Sequence, residues 1–156
     1  MIKISIPGRD ELQLHYLVLD MNGTITTDGQ LIEGVLGRVA QLKERLRVYL
    51  LTADTFGTGA QVARELGIEM VTVSSDNGTT DKANFIAALD PPGAAAIGNG
   101  NNDVAMFKEA KLCIAVIGRE GCCASALLNA DVVVNDINDA LDLLLNPLRL
   151  IATLRR

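Results

Sequence analysis

The sequence predicts an α/β fold in which a mainly parallel sheet carries helices on both faces. Short aliphatic runs at residues 16–19, 48–53, 69–73, 94–97, 112–117 and 131–135 alternate with stretches of helical period. No linker, repeat or low-complexity segment interrupts the alternation. Strand-helix-strand succession needs crossover connections, and these pair strands in parallel. The expectation is a single three-layer α/β/α, Rossmann-like domain over residues 1–156.

Ile2, Ile4 and Ile6 alternate with polar residues, Pro7-Gly8-Arg9-Asp10 turns the chain, and Leu12, Leu14 and Tyr16 alternate again. This predicts an N-terminal β-hairpin whose second strand runs on to Asp20. His15, the one histidine, has no second His or Cys nearby in that strand and reads as structural. Asp28-Gly29 marks the turn of a small two-stranded β-flap. Val35, Val39, Leu42 and Leu46 fall at helical spacing, and a strand follows at 48–53. The next helix, 58–66, stops at Gly67.

Residues 69–73 read as a strand and 81–89 as a helix capped by Thr79 or Thr80. Pro91-Pro92-Gly93 turns the chain into a strand at 94–97, and a glycine-rich segment from Gly98 opens a helix reaching about residue 110. A strand at 112–117, a helix at 124–129 and a strand at 131–135 follow. Helical period returns at Ile137, Ala140, Leu141 and Leu144, and Pro147 begins a last short helix. The apolar stretch 143–151 reads as core in preference to an oligomer contact.

With 49% apolar residues, five aromatics and no Trp in 156 residues, aliphatic side chains must build the core. Acidic residues outnumber basic ones 19 to 14, and no basic stripe is present, which argues against nucleic acid as the main partner. No apolar run reaches the roughly 20 residues of a membrane helix, and the N-terminus lacks the pattern of a signal peptide. Cys113, Cys122 and Cys123 are odd in number and form no C-x-x-C, so they read as free thiols. The expected setting is cytoplasmic and reducing, with no membrane partner.

Four segments each follow a predicted strand and therefore project from one edge of the sheet. In the first, Asp20 ends an apolar strand before Asn22, Gly23, Thr24 and Thr26. A carboxylate there is costly unless cations or donors meet it, and strand carboxyl ends are where open α/β sheets bind ligands. Asp20 is thus either the centre of a site or a turn cap before Gly23. The second, Leu51-Thr52-Ala53-Asp54, offers a hydroxyl and backbone amides to an oxyanion, or merely ends a strand. The third, Thr79-Thr80-Asp81-Lys82, puts a lysine in the expected first helical turn, against the helix dipole unless an anion is near. Taken alone, that lysine reads as a solvated surface residue. The fourth, residues 98–103, is rich in glycine and in oxygen donors and suits a hard cation. No segment completes a P-loop or dinucleotide fingerprint.

In this order the segments resemble the four motifs of the haloacid dehalogenase superfamily of aspartyl-phosphate phosphatases and phosphotransferases. "LVLDMNGTIT" is similar to the first, "VYLLTAD" to the second, "TTDK" to the third and "AIGNGNNDVAMF" to the fourth. The resemblance covers nearly the whole chain from Tyr16. Within the superfamily, "DMNGTIT", "LLTAD" and "GNGNND" look most like the phosphorylation domain of P-type ATPases, here without membrane helices or nucleotide-binding insertion.

The resemblance implies that Asp20 is the nucleophile that takes the phosphoryl group. It implies Mg²⁺ on Asp20, the Asn22 carbonyl, Asn99 and Asp103. Thr52 would hold phosphoryl oxygens with Ala53 and Asp54, while Gly23, Thr24 and Asn102 complete substrate binding. Lys82 would neutralise charge between Asp20 and phosphate. Two positions depart from the family pattern. Asn22 stands where an Asp acts as general acid and base, and an amide exchanges no proton near neutral pH. Asn99 stands where an Asp binds Mg²⁺, so that ligand supplies no charge.

The implied activity is therefore slow phosphomonoester hydrolysis. The gaps between the motifs leave no room for a cap domain, which suggests a large phosphorylated partner, or a small substrate enclosed by a second subunit of a homo-oligomer. The alternative is a weakened fold serving as a phosphate-sensing or protein-interaction module.

Overall fold

The computed structural model describes residues 1–54 and 57–156. The chain opens with β1 (Ile2–Ile4), β2 (Leu12–Leu14) and β3 (Tyr16–Asp20). Next come β4 (Thr26–Thr27), β5 (Gln30–Leu31), α1 (Val35–Leu42), β6 (Arg47–Thr52) and α2 (Thr58–Leu66). The middle holds β7 (Glu69–Thr72), α3 (Gly78–Ala87), β8 (Ala94–Gly98), a 3-10 turn (Asn101–Asp103) and α4 (Val104–Glu109). Last are β9 (Leu112–Val116), α5 (Ala124–Asn129), β10 (Val132–Val134), α6 (Ile137–Leu145) and α7 (Pro147–Leu154).

Six strands form one parallel sheet in the order β10-β9-β8-β3-β6-β7. The chain leaves β3 toward β6 on one side and later returns to β8 on the other. The carboxyl ends of β3 and β8 therefore flank the point where the topology reverses, which is where such sheets open a crevice.

Period-two alternation decides what each strand sends to each face. Leu17, Leu19, Val48, Leu50, Ala95 and Ile97 join a core with side chains of α1, α2, α6 and α7. Val18, Tyr49, Leu51, Ala94 and Ala96 point the other way, into a core with Ile86, Met106, Phe107 and Ala126. Asp20, two residues past Val18, shares the second face, the one covered by α3. The tail follows the core reading in part: Leu144 and Leu150 are buried while Leu148 is exposed.

Two expectations need correction. The second hairpin strand does not run on to Asp20. β1 and β2 pair only with each other, and β3 belongs to the large sheet. The chain breaks at His15, where the Gly93 carbonyl accepts from both the His15 and Tyr16 amides, at 2.8 and 3.1 Å. One external acceptor for two successive N–H groups cannot be part of a continuous ladder.

Helix α3 is also not capped by Thr79 or Thr80. It begins at Gly78 after Asn77, so Lys82 lies in the second turn, away from the helix end. Asp81 binds back to the Ser74 amide at 2.8 Å, which fastens the loop before the helix. The Asp28-Gly29 flap forms as expected, both residues taking positive φ (51° and 78°). Among the described residues no helix is long and apolar enough to cross a membrane.

Candidate active site

Asp20 is only 7% exposed, and Lys82 and Asp103 are 1% and 0%. A lysine so buried must be met by counter-charge. The Lys82 Nζ donates to Asp20 Oδ1 at 2.5 Å and to Asp103 Oδ1 at 2.8 Å. Strand alternation aims Asp20 at α3, and the second-turn position of Lys82 brings its ammonium under the end of β3. Burial works to lower the Lys82 pKa, but attraction to both carboxylates outweighs it and leaves the group above its ordinary value. Asp103 is pushed up to about 6, by burial first and by the Asp20 charge second, against the pull of Lys82.

The other Asp103 oxygen accepts the backbone amides of Asn99 and Gly100 at 3.0 and 2.9 Å. Asp103 thereby shapes the 98–103 turn from inside. Gly98 is required there, because any Cβ would collide with the Asp103 carboxylate. Thr24 Oγ1 lies 3.0 Å from Asp20 Oδ2 and 3.1 Å from Asn99 Oδ1, so its single proton serves one of them at a time. Gly23 has φ 76°, and a side chain there would strike the Asn99 amide.

A cavity of about 360 Å³ is lined by Asp20, Asn22, Thr52, Ala53, Lys82, Asn99, Gly100 and Asn102. A second, of about 460 Å³, shares Asn22, Thr52 and Ala53 with it and adds Asp54, Asp28 and Glu120. Residues from the four motif segments therefore line one cavity with Asp20. Asp54 is the partial exception. Its Oδ1 accepts the Gly59 amide at 2.6 Å, holding the start of α2, and its own amide donates to Thr52 Oγ1 at 3.3 Å.

The residues offered to a cation are all oxygen donors: Asp20, Asn99, Asp103 and the Asn22 carbonyl. They fit a hard dication such as Mg²⁺ in kind. Asp103 is fully buried with both oxygens engaged by protein donors, whereas Asp20 lines the cavity, where its Oδ2 meets only the Thr24 hydroxyl. Among the described residues no group of three or more His, Cys, Asp or Glu converges to hold a metal.

Two contributors escaped the sequence reading. Residues 74–76 wall the cavity that holds Asp20. The loop after β9 is bonded to the Asn99 turn: Gly121 O accepts from Asn99 Nδ2 at 3.0 Å, and the Cys123 amide donates to Asn99 O at 2.8 Å. Gly118 and Gly121 follow a predicted strand at the same sheet edge, and that placement was the available signal. The thiols remain free. Cys113 is buried, and burial with Asp131 nearby pushes it up to about 12.

No protein-family model matches the chain. Two uncharacterized proteins of Methanocaldococcus jannaschii match it in part. One is 62% identical over 60 residues, which is 38% of this chain and 64% of that protein. The match thus spans under two thirds of that relative's length. The other is 56% identical over 39 residues, 25% of this chain and 89% of that protein.

Among solved structures, the cobalt-bound deoxy-D-mannose-octulosonate 8-phosphate phosphatase of Haemophilus influenzae is similar with TM-score 0.71. Identity is 16%, over 85% of this chain and 88% of that one. The 3-deoxy-D-manno-octulosonate 8-phosphate phosphatase of Moraxella catarrhalis, in complex with magnesium, phosphate and KDO, is similar with TM-score 0.66. Identity is 20%, over 91% of this chain and 94% of that one. The catalytic domain of a CPx-ATPase is 26% identical with TM-score 0.62, over 73% of this chain and 46% of that one. These likenesses show the fold: the chain shares the α/β architecture of these phosphatases and of the ATPase catalytic domain.

Proposed function

We propose that this chain is a slow, Mg²⁺-dependent phosphomonoester hydrolase that works as a single domain in a reducing, cytoplasmic setting through an aspartyl-phosphate on Asp20. The observation that carries the reading is the buried Lys82 ammonium, held 2.5 Å from Asp20 and 2.8 Å from Asp103 at the topological switch point. A structural ion pair would not need a cavity beside it lined by Thr52, Asn99 and Asn102.

In this reading Asp20 attacks phosphorus and the leaving group departs with its oxygen. Lys82 offsets repulsion between the Asp20 carboxylate and phosphate. Thr52, the amides of residues 53 and 54, and Asn102 bind phosphoryl oxygens. Gly23 lets the backbone turn tightly, and Thr24 orients Asp20 Oδ2 by donating to it. Asp20, the Asn22 carbonyl and Asn99 would hold the cation, with Asp103 acting through water. When bound, the cation supplies charge neutralisation of the transferred phosphoryl group. The substrate is a phosphorylated macromolecule, or a small molecule enclosed by a second subunit.

The test is release of p-nitrophenol from p-nitrophenyl phosphate with and without Mg²⁺. Asp20→Asn is expected to abolish it, and activity that survives this change ends the mechanism. The second reading, a phosphate-sensing module, draws on Asn99, whose side-chain amide holds Gly121 at 3.0 Å and so serves as a tether. It prevails if the wild type binds inorganic phosphate without turnover while Asn99→Asp turns over.

A further inference from the structure

Asn22 cannot move a proton, so the site needs a base from elsewhere if water is to attack a phosphorylated Asp20. Besides Asp20, the carboxylates lining the two adjoining cavities are Asp76, Asp28, Asp54 and Glu120. Asp54 is committed to the Gly59 amide at 2.6 Å. Asp76 accepts from its neighbour Ser75 at 3.3 Å, and among the described residues no hydrogen bond ties its side chain to the Asp20 turn. Asp28 sits at the flap tip, where its backbone amide is itself held by Glu120.

Glu120 is placed differently. A Cβ at Gly23 would lie 3.2 Å from the Glu120 Cβ, and a Cβ at Gly118 would lie 3.2 Å from the Gly23 carbonyl. On its other side the loop is fastened to Asn99 through Gly121 and Cys123. The backbone of Glu120 is therefore fixed against both the Asp20 turn and the Asn99 turn, as a reacting group requires. Its Oε2 accepts the Asp28 amide at 3.3 Å, which ties the exposed side chain to the flap, and Glu120 lines the cavity that Asn22 and Thr52 also line.

We propose that Glu120 is a further catalytic residue, the general base for the water that hydrolyses phosphorylated Asp20, in place of Asn22. The proposal rests on the aspartyl-phosphate reading. In this step the bond from water oxygen to phosphorus forms as the bond from phosphorus to the Asp20 carboxylate oxygen breaks. The water proton passes to Glu120, inorganic phosphate leaves, and Glu120 gives the proton to solvent. The ionisable groups facing Glu120 are Asp28 and Asp54 across the cavity, with Arg119 beside it in the loop.

The experiment follows p-nitrophenol release from p-nitrophenyl phosphate with Mg²⁺ in rapid-mixing and steady-state modes. Glu120→Gln is expected to keep a burst near one equivalent per site, while steady-state turnover falls by about 10²-fold or more. Adding Asn22→Asp to it is expected to restore turnover to the level of Asn22→Asp alone. Wild-type turnover in Glu120→Gln, joint loss of burst and turnover, or no rescue by Asn22→Asp each overturn the role of Glu120. A burst that survives Asp20→Asn instead overturns the underlying reading, so the two failures are distinct.

Discussion

Lys82 is the residue on which the buried charges depend. With its ammonium removed, Asp20 and Asp103 face each other without compensation, and breaking a buried pair costs far more than the pair contributes in net terms. Lys82→Met is therefore expected to lower unfolding free energy by about 3–5 kcal/mol in urea titration and to abolish turnover. Asp103 gives the pH dependence. Its native pKa, about 6, stands above its ordinary 3.8, so between these values the native state holds a proton that the unfolded chain has released. Stability from this group is full below about pH 4 and declines as pH rises through 6. The advantage of wild type over Asp103→Asn should therefore grow as pH falls from 7 to 4, by on the order of 2–3 kcal/mol. Equal pH profiles for the two proteins would show that Asp103 does not titrate in this range.

At the scale of elements, the helices and strands were legible wherever period and punctuation agreed. α2 spans Thr58–Leu66 before Gly67, and α5 spans Ala124–Asn129, both as their sequence patterns require. What failed was the join between elements. Leu12, Leu14 and Tyr16 alternate and run straight into the apolar stretch 16–19, and nothing local reveals that Gly93, far along the chain, supplies the acceptor that splits them into two sheets. Likewise Thr79 and Thr80 look like caps, but Asp81 bonding back to Ser74 starts α3 earlier and sets Lys82 one turn deeper. Tertiary partners decided both cases. A pair of glycine substitutions tests this. Gly29 has φ 78° and open space around it, so Gly29→Ala is expected to cost about 1 kcal/mol of backbone strain. Gly93 has φ 151°, and a Cβ would run into the Gln13 carbonyl, at the same crossing that separates β2 from β3. Gly93→Ala should cost more, about 3 kcal/mol or above by thermal or urea unfolding.

For the whole molecule, the proposed cation site would couple local charge to global stability. The family pattern in the sequence located the converging segments, but it could not foresee that Asp103 would spend both oxygens on protein donors, since that follows from how the 98–103 turn closes. Asp20 is then the one cavity-lining carboxylate a cation would meet, and Asn99 would add a neutral oxygen. Asn99→Asp changes both sides of this balance. Without metal, the new carboxylate loses the donor that now binds Gly121 and adds a third negative charge around a single ammonium. That should destabilise the metal-free protein by roughly 1–3 kcal/mol. With metal, the same charge strengthens binding, and a ligand at 100 times its Kd adds about 2.7 kcal/mol to stability. The melting temperature of Asn99→Asp should therefore lie below wild type in chelator and rise past it as Mg²⁺ is titrated at constant ionic strength. Parallel titration curves for the two proteins would mean that residue 99 does not face the cation.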